Sequence, residues 1–227
     1  MSCHRTSALV SSLLIGAFLL SCSSAPPPLP PPLPPPLPTT DLAKIKKAIF
    51  VNPYPPGTYD HFRAKNYPGT TRTWKNESLL ATSNSLNTHV KIDISDQRGF
   101  LMVGKEVAMD YRVSSGRRNK YDTPPGQFLI TEKLKDKRSN LYGTIYDAAG
   151  EKIKIDADSR QDEVPEGGEF RGAPMSYWMR LTRDGIGMHK GNVSSRWASH
   201  GCIRSHYSAV PIVFLKTSIG TPVSVEP

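Results

Sequence analysis

The sequence predicts a mainly β fold, an antiparallel sandwich or small barrel carrying one or two helices. Three observations carry this expectation. From Val90 onward the apolar residues recur with a period of two, the runs are short and bounded by Gly- and Pro-bearing turns, and the one good late helical segment is Ser205 to Lys216.

In chain order, a charged helical segment over Leu42 to Phe50 precedes the turn-forming strings Pro-Tyr-Pro-Pro-Gly at 53–57 and Tyr-Pro-Gly at 67–69, a stretch with little chemical signal. Val90, Ile92 and Ile94 then alternate with polar residues, and Gln97-Arg98-Gly99 turns the chain into Phe100 to Val103, a hairpin pattern. Gly104-Lys105 leads into Val107 to Val113, which Ser115-Gly116 ends, and Thr123-Pro124-Pro125-Gly126 leads into Phe128 to Thr131. Further strands are expected at Gly143 to Tyr146, at Lys152 to Ile155 across the Ala149-Gly150 turn, at Trp178 to Leu181, at Ile186 to His189 and at Pro222 to Val225.

Composition bounds the function. The chain has 227 residues with 29 Lys or Arg, 20 Asp or Glu, 21 Pro and 3 Cys. Cysteine is too sparse for a disulfide-built scaffold, and no apolar run reaches the roughly 18 residues of a membrane-spanning helix. The net charge of +9 suits nucleic acid, a membrane surface or an acidic polymer alike. No clustered basic and aromatic motif accompanies it, so nucleic-acid binding is not expected.

The N-terminus reads as an address. Arg5 precedes an apolar stretch from Ala8 to Leu20, and Leu19-Leu20-Ser21-Cys22 closes it with a small residue before a cysteine. This resembles the lipobox of bacterial lipoproteins, in which cleavage leaves the cysteine as a lipidated N-terminus, here Cys22. Pro26 to Pro38 repeats Pro-Pro-Pro-Leu three times. Fixed φ angles and missing N–H donors make it a polyproline II spacer of roughly 40 Å. The expected organisation is a leader at 1–21, a lipidated and Pro-rich segment at 22–40, an N-terminal extension of the globular part at 41–89 and a catalytic domain at 90–227. The expected location is the bacterial cell envelope, with the chain anchored to a membrane through its lipid and facing the periplasm or wall.

The segment that carries chemistry is Gly185-Ile186-Gly187-Met188-His189-Lys190-Gly191 followed by Ser199-His200-Gly201-Cys202-Ile203-Arg204. With the leader removed and Cys22 lipidated, Cys202 is the one free thiol of an exported chain, and a cysteine without a partner in an oxidising compartment points to reactivity. A thiol becomes a nucleophile when an imidazole removes its proton or a helix N-terminus lowers its pKa. His189 at a strand edge supplies the first, and the helix expected from Ser205 the second, so an unusually acidic Cys202 is expected. The N–H groups of His200, Gly201 and Cys202 are candidates for an oxyanion hole, and Gly201 lets the backbone approach a carbonyl. His189, His200, Cys202 and His206 are the alternative as zinc ligands, without any paired CxxC or HxxxH spacing. A phosphatase loop is excluded because Ser208 stands where its Arg is required.

At these residues the sequence resembles the YkuD-type L,D-transpeptidases of bacterial cell walls. Ser199 to Arg204 is similar to that family's signature, Gly185 to His189 to its preceding Gly-x-x-x-His segment, Val113-Ser114-Ser115-Gly116 and Thr123 to Phe128 to its upstream strands, and Gly220 to Val223 to its closing strand. The resemblance spans roughly residues 90 to 226. It implies an L,D-transpeptidase-like β-sandwich or barrel, Cys202 as nucleophile, His189 as general acid and base, and the backbone of His200, Gly201 and Cys202 as oxyanion hole. Arg204 and Ser199 are implied substrate-binding residues, although loop-holding suits Ser199 and His200 equally. The implied partner is a peptidoglycan stem peptide, cut between residues three and four through a thioester and joined to an amine, or to water in a carboxypeptidase; no metal or cofactor is implied. Lys190 after the first His, the short 189–199 interval and Ser205-His206 depart from the family pattern. A catalytically inactive wall-binding lipoprotein, or a membrane-to-wall anchor on the same fold, is the alternative.

Overall fold

The structure, a computed structural model, describes residues 50–193 and 197–227. The expected leader, Cys22, the proline spacer and the helical segment before Phe50 lie outside the described residues. In chain order the described elements are α1 (Tyr59–Arg63), β1 (Trp74–Lys75), α2 (Glu77–Thr82), β2 (Thr88–Asp93), β3 (Arg98–Val103), β4 (Glu106–Ser114), β5 (Gly126–Leu129), β6 (Glu132–Leu134), β7 (Arg138–Tyr146), β8 (Lys152–Asp158), β9 (Glu169–Pro174), β10 (Trp178–Arg180), β11 (Gly187–Lys190), β12 (Ile203–Ser205), α3 (Val210–Lys216) and β13 (Pro222–Glu226).

The fold is mainly β, as the alternation predicts. In β2 the buried positions are Thr88, Val90 and Ile92, each separated by a half-buried residue, the signature of a strand with one face on a core. A ten-stranded sheet runs β5-β13-β2-β3-β4-β12-β11-β10-β6, with β1 also pairing on β4. Most pairs are antiparallel, but β13 lies parallel to β2 and β11 parallel to β12. The sheet curls until its ends meet. The stretch 126–134 pairs with β13 through β5 and with β10 through β6, and between them Ile130 N–H reaches Thr221 O at 3.0 Å and Thr131 N–H reaches Arg180 O at 2.9 Å. Val90, Leu101, Met109, Met188, Ile203 and Val213 meet in the core inside that curl. A second, three-stranded sheet has the order β8-β7-β9.

The late helix is shorter than the spacing predicts. It covers Val210 to Lys216, not Ser205 to Lys216, because Pro211 must sit in the first turn. A helix begun at Ser205 would carry this proline in its interior, where the ring clashes with a preceding carbonyl and a hydrogen bond is lost. Ser205 instead pairs in β12 with Val113 of β4. The helix therefore starts well beyond Cys202 and does not present its N-terminus to the thiol.

β4 is buried on both faces over Ala108 to Ser114. Met109, Tyr111 and Val113 belong to the apolar core, while Asp110 and Arg112 meet the N-terminal extension. Arg98 and Asp110 form an ion pair with both side chains at 0% exposure. Tyr59 Oη donates to Asp110 at 2.7 Å, and Arg98 and Arg112 donate to the carbonyls of Thr70 and Pro68. The extension is thus tied to the sheet by a charged network that needs every member, because a buried ion left without its partner carries the full cost of lost hydration. Asp110→Ala is expected to lower unfolding free energy by about 3–5 kcal/mol, read from urea denaturation. A loss below about 1 kcal/mol, the scale of an exposed pair, would show that the network does not hold the extension.

Candidate functional site

Pairing of two strands builds the site. In the parallel register of β11 and β12, Met188 lies beside Ile203 and His189 beside Arg204. Cys202 immediately precedes β12 and lies against the start of β11. The Gly187 N–H points at Sγ, and the thiol donates to Gly185 O at 3.7 Å.

His189 is 7% exposed. Its Nδ1 lies 2.8 Å from Lys190 O, and since a carbonyl only accepts, Nδ1 carries the proton and Nε2 the lone pair. Burial, helped by the charge of Arg204, holds this imidazole down to about 4. Trp178, 1% exposed, packs its ring 6.3 Å from the imidazole and is fixed by donating Nε1–H to Glu132 at 2.6 Å. Tyr177 is partly buried, packing edge-on against Phe214 and against the core.

The expectation of an acidic Cys202 is corrected. Burial pushes the thiol up, against the weaker opposing pulls of the Gly187 N–H, Arg204 and Arg180. The helix that would have lowered it begins too late, as described above. Cys202 is half-buried and forms no disulfide among the described residues. At neutral pH Cys202 therefore carries a neutral thiol and His189 a neutral imidazole, protonation states in which a proton would move during attack instead of beforehand.

The loop 198–202 is held from several sides. Ala198 N–H and Ser199 N–H both donate to Ser115 O at 2.9 and 3.1 Å, and Arg117 N–H donates to Ser199 O at 3.0 Å. Ser199 is 2% exposed, and its hydroxyl donates back to the Cys202 carbonyl. That hydroxyl is spent inside the loop, so of the two roles expected for Ser199 the geometry favours loop-holding over substrate binding. Gly201 has φ +103°, the left-handed region that glycine enters without strain. Its carbonyl accepts from Thr123 Oγ1 at 2.7 Å, and Thr123 Oγ1 accepts from Gly116 N–H at 2.9 Å. A Cβ on Gly116 would stand 1.8 Å from Tyr121 O, so only glycine permits that approach. The part of Thr123 is not visible in the sequence: its string reads as a turn signal, and nothing local to it tells that its hydroxyl reaches across to residue 201.

Among the described residues, no backbone acceptor takes the N–H groups of His200, Gly201 or Cys202. They are the candidates for receiving a developing oxyanion. The His200 ring lies flat against Tyr142, with centroids 4.0 Å apart, and edge-on to Tyr121 at 4.4 Å. Its Nε2 accepts from Arg117 at 2.5 Å, and burial lowers its pKa, so this ring is a neutral wedge between the loop and β7. Arg204 lays its stem over Gly191 and pairs with no carboxylate among the described residues. His206 bonds Ser208 at 2.7 Å and packs on Tyr207. Among the described residues, no group of three or more His, Cys, Asp or Glu converges to hold a metal.

A family model, YkuD, the L,D-transpeptidase catalytic domain, matches residues 87–225. No curated protein matches the sequence. Among solved structures, the chain is similar to an L,D-transpeptidase from Mycobacterium smegmatis, with TM-score 0.47 and 21% identity over 62% of this chain and 59% of that one. It is also similar to one from Stackebrandtia nassauensis, with TM-score 0.45 and 17% identity over 65% and 60%. L,D-transpeptidase 1 of Mycobacterium tuberculosis gives 0.42 and 22% over 61% and 60%. The chain thus covers less than two thirds of the length of these structures.

Proposed function

Because the chain belongs to the YkuD family of L,D-transpeptidase catalytic domains, we propose that it transfers an acyl group of a peptidoglycan stem peptide through a thioester on Cys202. Cys202 Sγ attacks the carbonyl between residues three and four of the stem, and His189 Nε2 takes the thiol proton as the C–S bond forms. The oxyanion sits on the N–H groups of residues 200–202. When it collapses, the C–N bond breaks, and the departing D-amino acid takes the proton from His189. An amine then attacks the thioester and passes its proton to the same nitrogen; the C–S bond breaks, the Cys202 sulfur takes that proton back, and a 3-3 cross-link or an attached protein is left, while water in place of the amine gives a carboxypeptidase. The cation of Arg204, without a carboxylate partner among the described residues, suits a substrate carboxylate.

The observation that supports this reading is the register of β11 and β12, in which His189 lies beside Arg204 and Cys202 immediately precedes the start of β12 at Ile203, with the Nδ1 bond leaving Nε2 as base. The test is to incubate the chain with a tetrapeptide-stem muropeptide and analyse the products by mass spectrometry. Release of the fourth residue by the native chain, and none by Cys202→Ala, is expected. Identical product profiles would replace the reading with that of an inactive wall-binding protein.

The lipid anchor belongs to the same proposal. Lipidation of Cys22 in a bacterial envelope, with the Pro26–Pro38 spacer between lipid and domain, would hold the active site off the membrane and near the wall. Cys22→Ala is expected to move the chain from the membrane fraction to the soluble one. Unchanged fractionation would exclude the anchor.

A further inference from the structure

We propose that Gln97 is the positioning residue of the 198–202 loop, holding through Ser115 the backbone on which the oxyanion forms. Gln97 stands between β2 and β3, 2% exposed, with φ 53°. A non-glycine residue is uncommon in that left-handed region and stays there only when its surroundings over-determine it. Here its carboxamide does so. Oε1 accepts the Ser115 N–H at 2.8 Å, while Nε2 donates to Ser115 Oγ at 2.7 Å and to Ile94 O at 2.7 Å. The Gln97 carbonyl accepts from Val113 N–H at 3.0 Å.

Ser115, at 0% exposure, is the residue whose carbonyl takes both Ala198 N–H and Ser199 N–H, and Ser199 in turn donates to the Cys202 carbonyl. Three steps therefore lead from the Gln97 side chain to the nucleophile's own backbone. Thr123 holds the same loop from the other side, at Gly201. Between these two anchors, no backbone acceptor among the described residues takes the N–H groups of 200–202.

The chemistry asks for glutamine in particular. The position needs one acceptor and two donors at one reach. Asparagine is a methylene short, methionine pairs with none of the three groups, and ionised glutamate accepts but does not donate. Glycine would relieve the backbone yet supply no carboxamide, so a side-chain duty outweighs the conformational cost. The charged residues on the elements around it are Asp93 at the end of β2, Asp96 and Arg98 on its own turn, and Arg112 on β4.

The inference rests on the acyl-transfer reading, and its test separates the two. Acylation of Cys202 by the carbapenem imipenem is followed in the full chain as a saturating rate constant and an apparent binding constant, from pH 5 to 8, with thermal melting alongside. Gln97→Met is expected to lower the saturating rate at least about 10-fold at every pH, the scale of a misplaced reacting group, with the binding constant little changed. Gln97→Glu is expected to match that loss at pH 8 and to recover toward the native rate at pH 5. Once protonated, the carboxyl introduced by Gln97→Glu has an acceptor and one O–H donor at the native reach, enough for both bonds to Ser115 though not for the one to Ile94, so this variant also keeps the test open if Gln97→Met does not fold. Because protonation also returns stability to a buried glutamate, rates are compared only at pH values where thermal melting shows each variant folded.

Native rates for folded variants at every pH, a loss confined to the binding constant, or no recovery of Gln97→Glu at pH 5 would overturn the positioning role while leaving acyl transfer intact. A native chain that imipenem does not acylate overturns both.

Discussion

Replacing Cys202 with Ala is expected to abolish acyl transfer outright, and Cys202→Ser to slow acylation on the order of 1,000-fold or more while the ligand still binds. The two variants separate geometry from chemistry. Serine keeps the side chain's place beside Gly187 and the N–H groups of 200–202, so binding and oxyanion stabilisation survive. What it loses is a nucleophile whose proton leaves readily. Burial already pushes the Cys202 thiol up, and a hydroxyl in the same surroundings is a far weaker acid. Kinetics of acylation at saturating ligand read this directly. A serine variant that acylates within about 10-fold of the native rate would mean that thiol chemistry does not limit the reaction.

His189→Ala is expected to slow acylation by about 100-fold to 10,000-fold, the scale for losing a positioned acid and base. The pH dependence makes this prediction sharper. His189 works only while neutral, and burial holds its pKa down to about 4. The native rate should therefore persist as the pH falls through about 6.5, where an ordinary imidazole would gain its proton, and drop only toward pH 4. The thiol moves the opposite way. Its alkylation should show an inflection at or above the roughly 8.5 of a free cysteine, with no reactive plateau at neutral pH. An acid limb near 6.5, or an alkylation inflection well below 8.5, would restore a preformed thiolate–imidazolium pair.

Much of the fold is legible in the sequence where strands line the core. Val90, Ile92 and the run to Val113 alternate or stay apolar because β2, β3 and β4 line the core. β9 leaves no such trace: Glu169 to Pro174 is mostly exposed and holds Gly172 and Pro174, so no periodicity marks it. β7 extends back to Arg138 through polar residues for the same reason. The helix after Cys202 is shorter than its pattern suggests because helical spacing continues N-terminally past Pro211, and the proline decides the start. In the site, the residue types and order of Ser199 to Arg204 are readable along the chain. The thiol's upward shift is not, since it depends on desolvation by the strands folded around it. Nor are the contacts of Thr123 and Gln97, whose partners lie on other elements at separations no local pattern encodes.

The central claim is that Cys202 becomes covalently acylated by a stem peptide. Intact-protein mass spectrometry of the native chain, quenched in acid during turnover of a tetrapeptide-stem muropeptide, tests it most directly. The predicted result is a mass increase equal to the stem shortened by its fourth residue, located by peptide mapping on the fragment that contains Cys202 and absent from Cys202→Ala. An unmodified native chain while product accumulates, or an adduct on any other residue, would contradict the account.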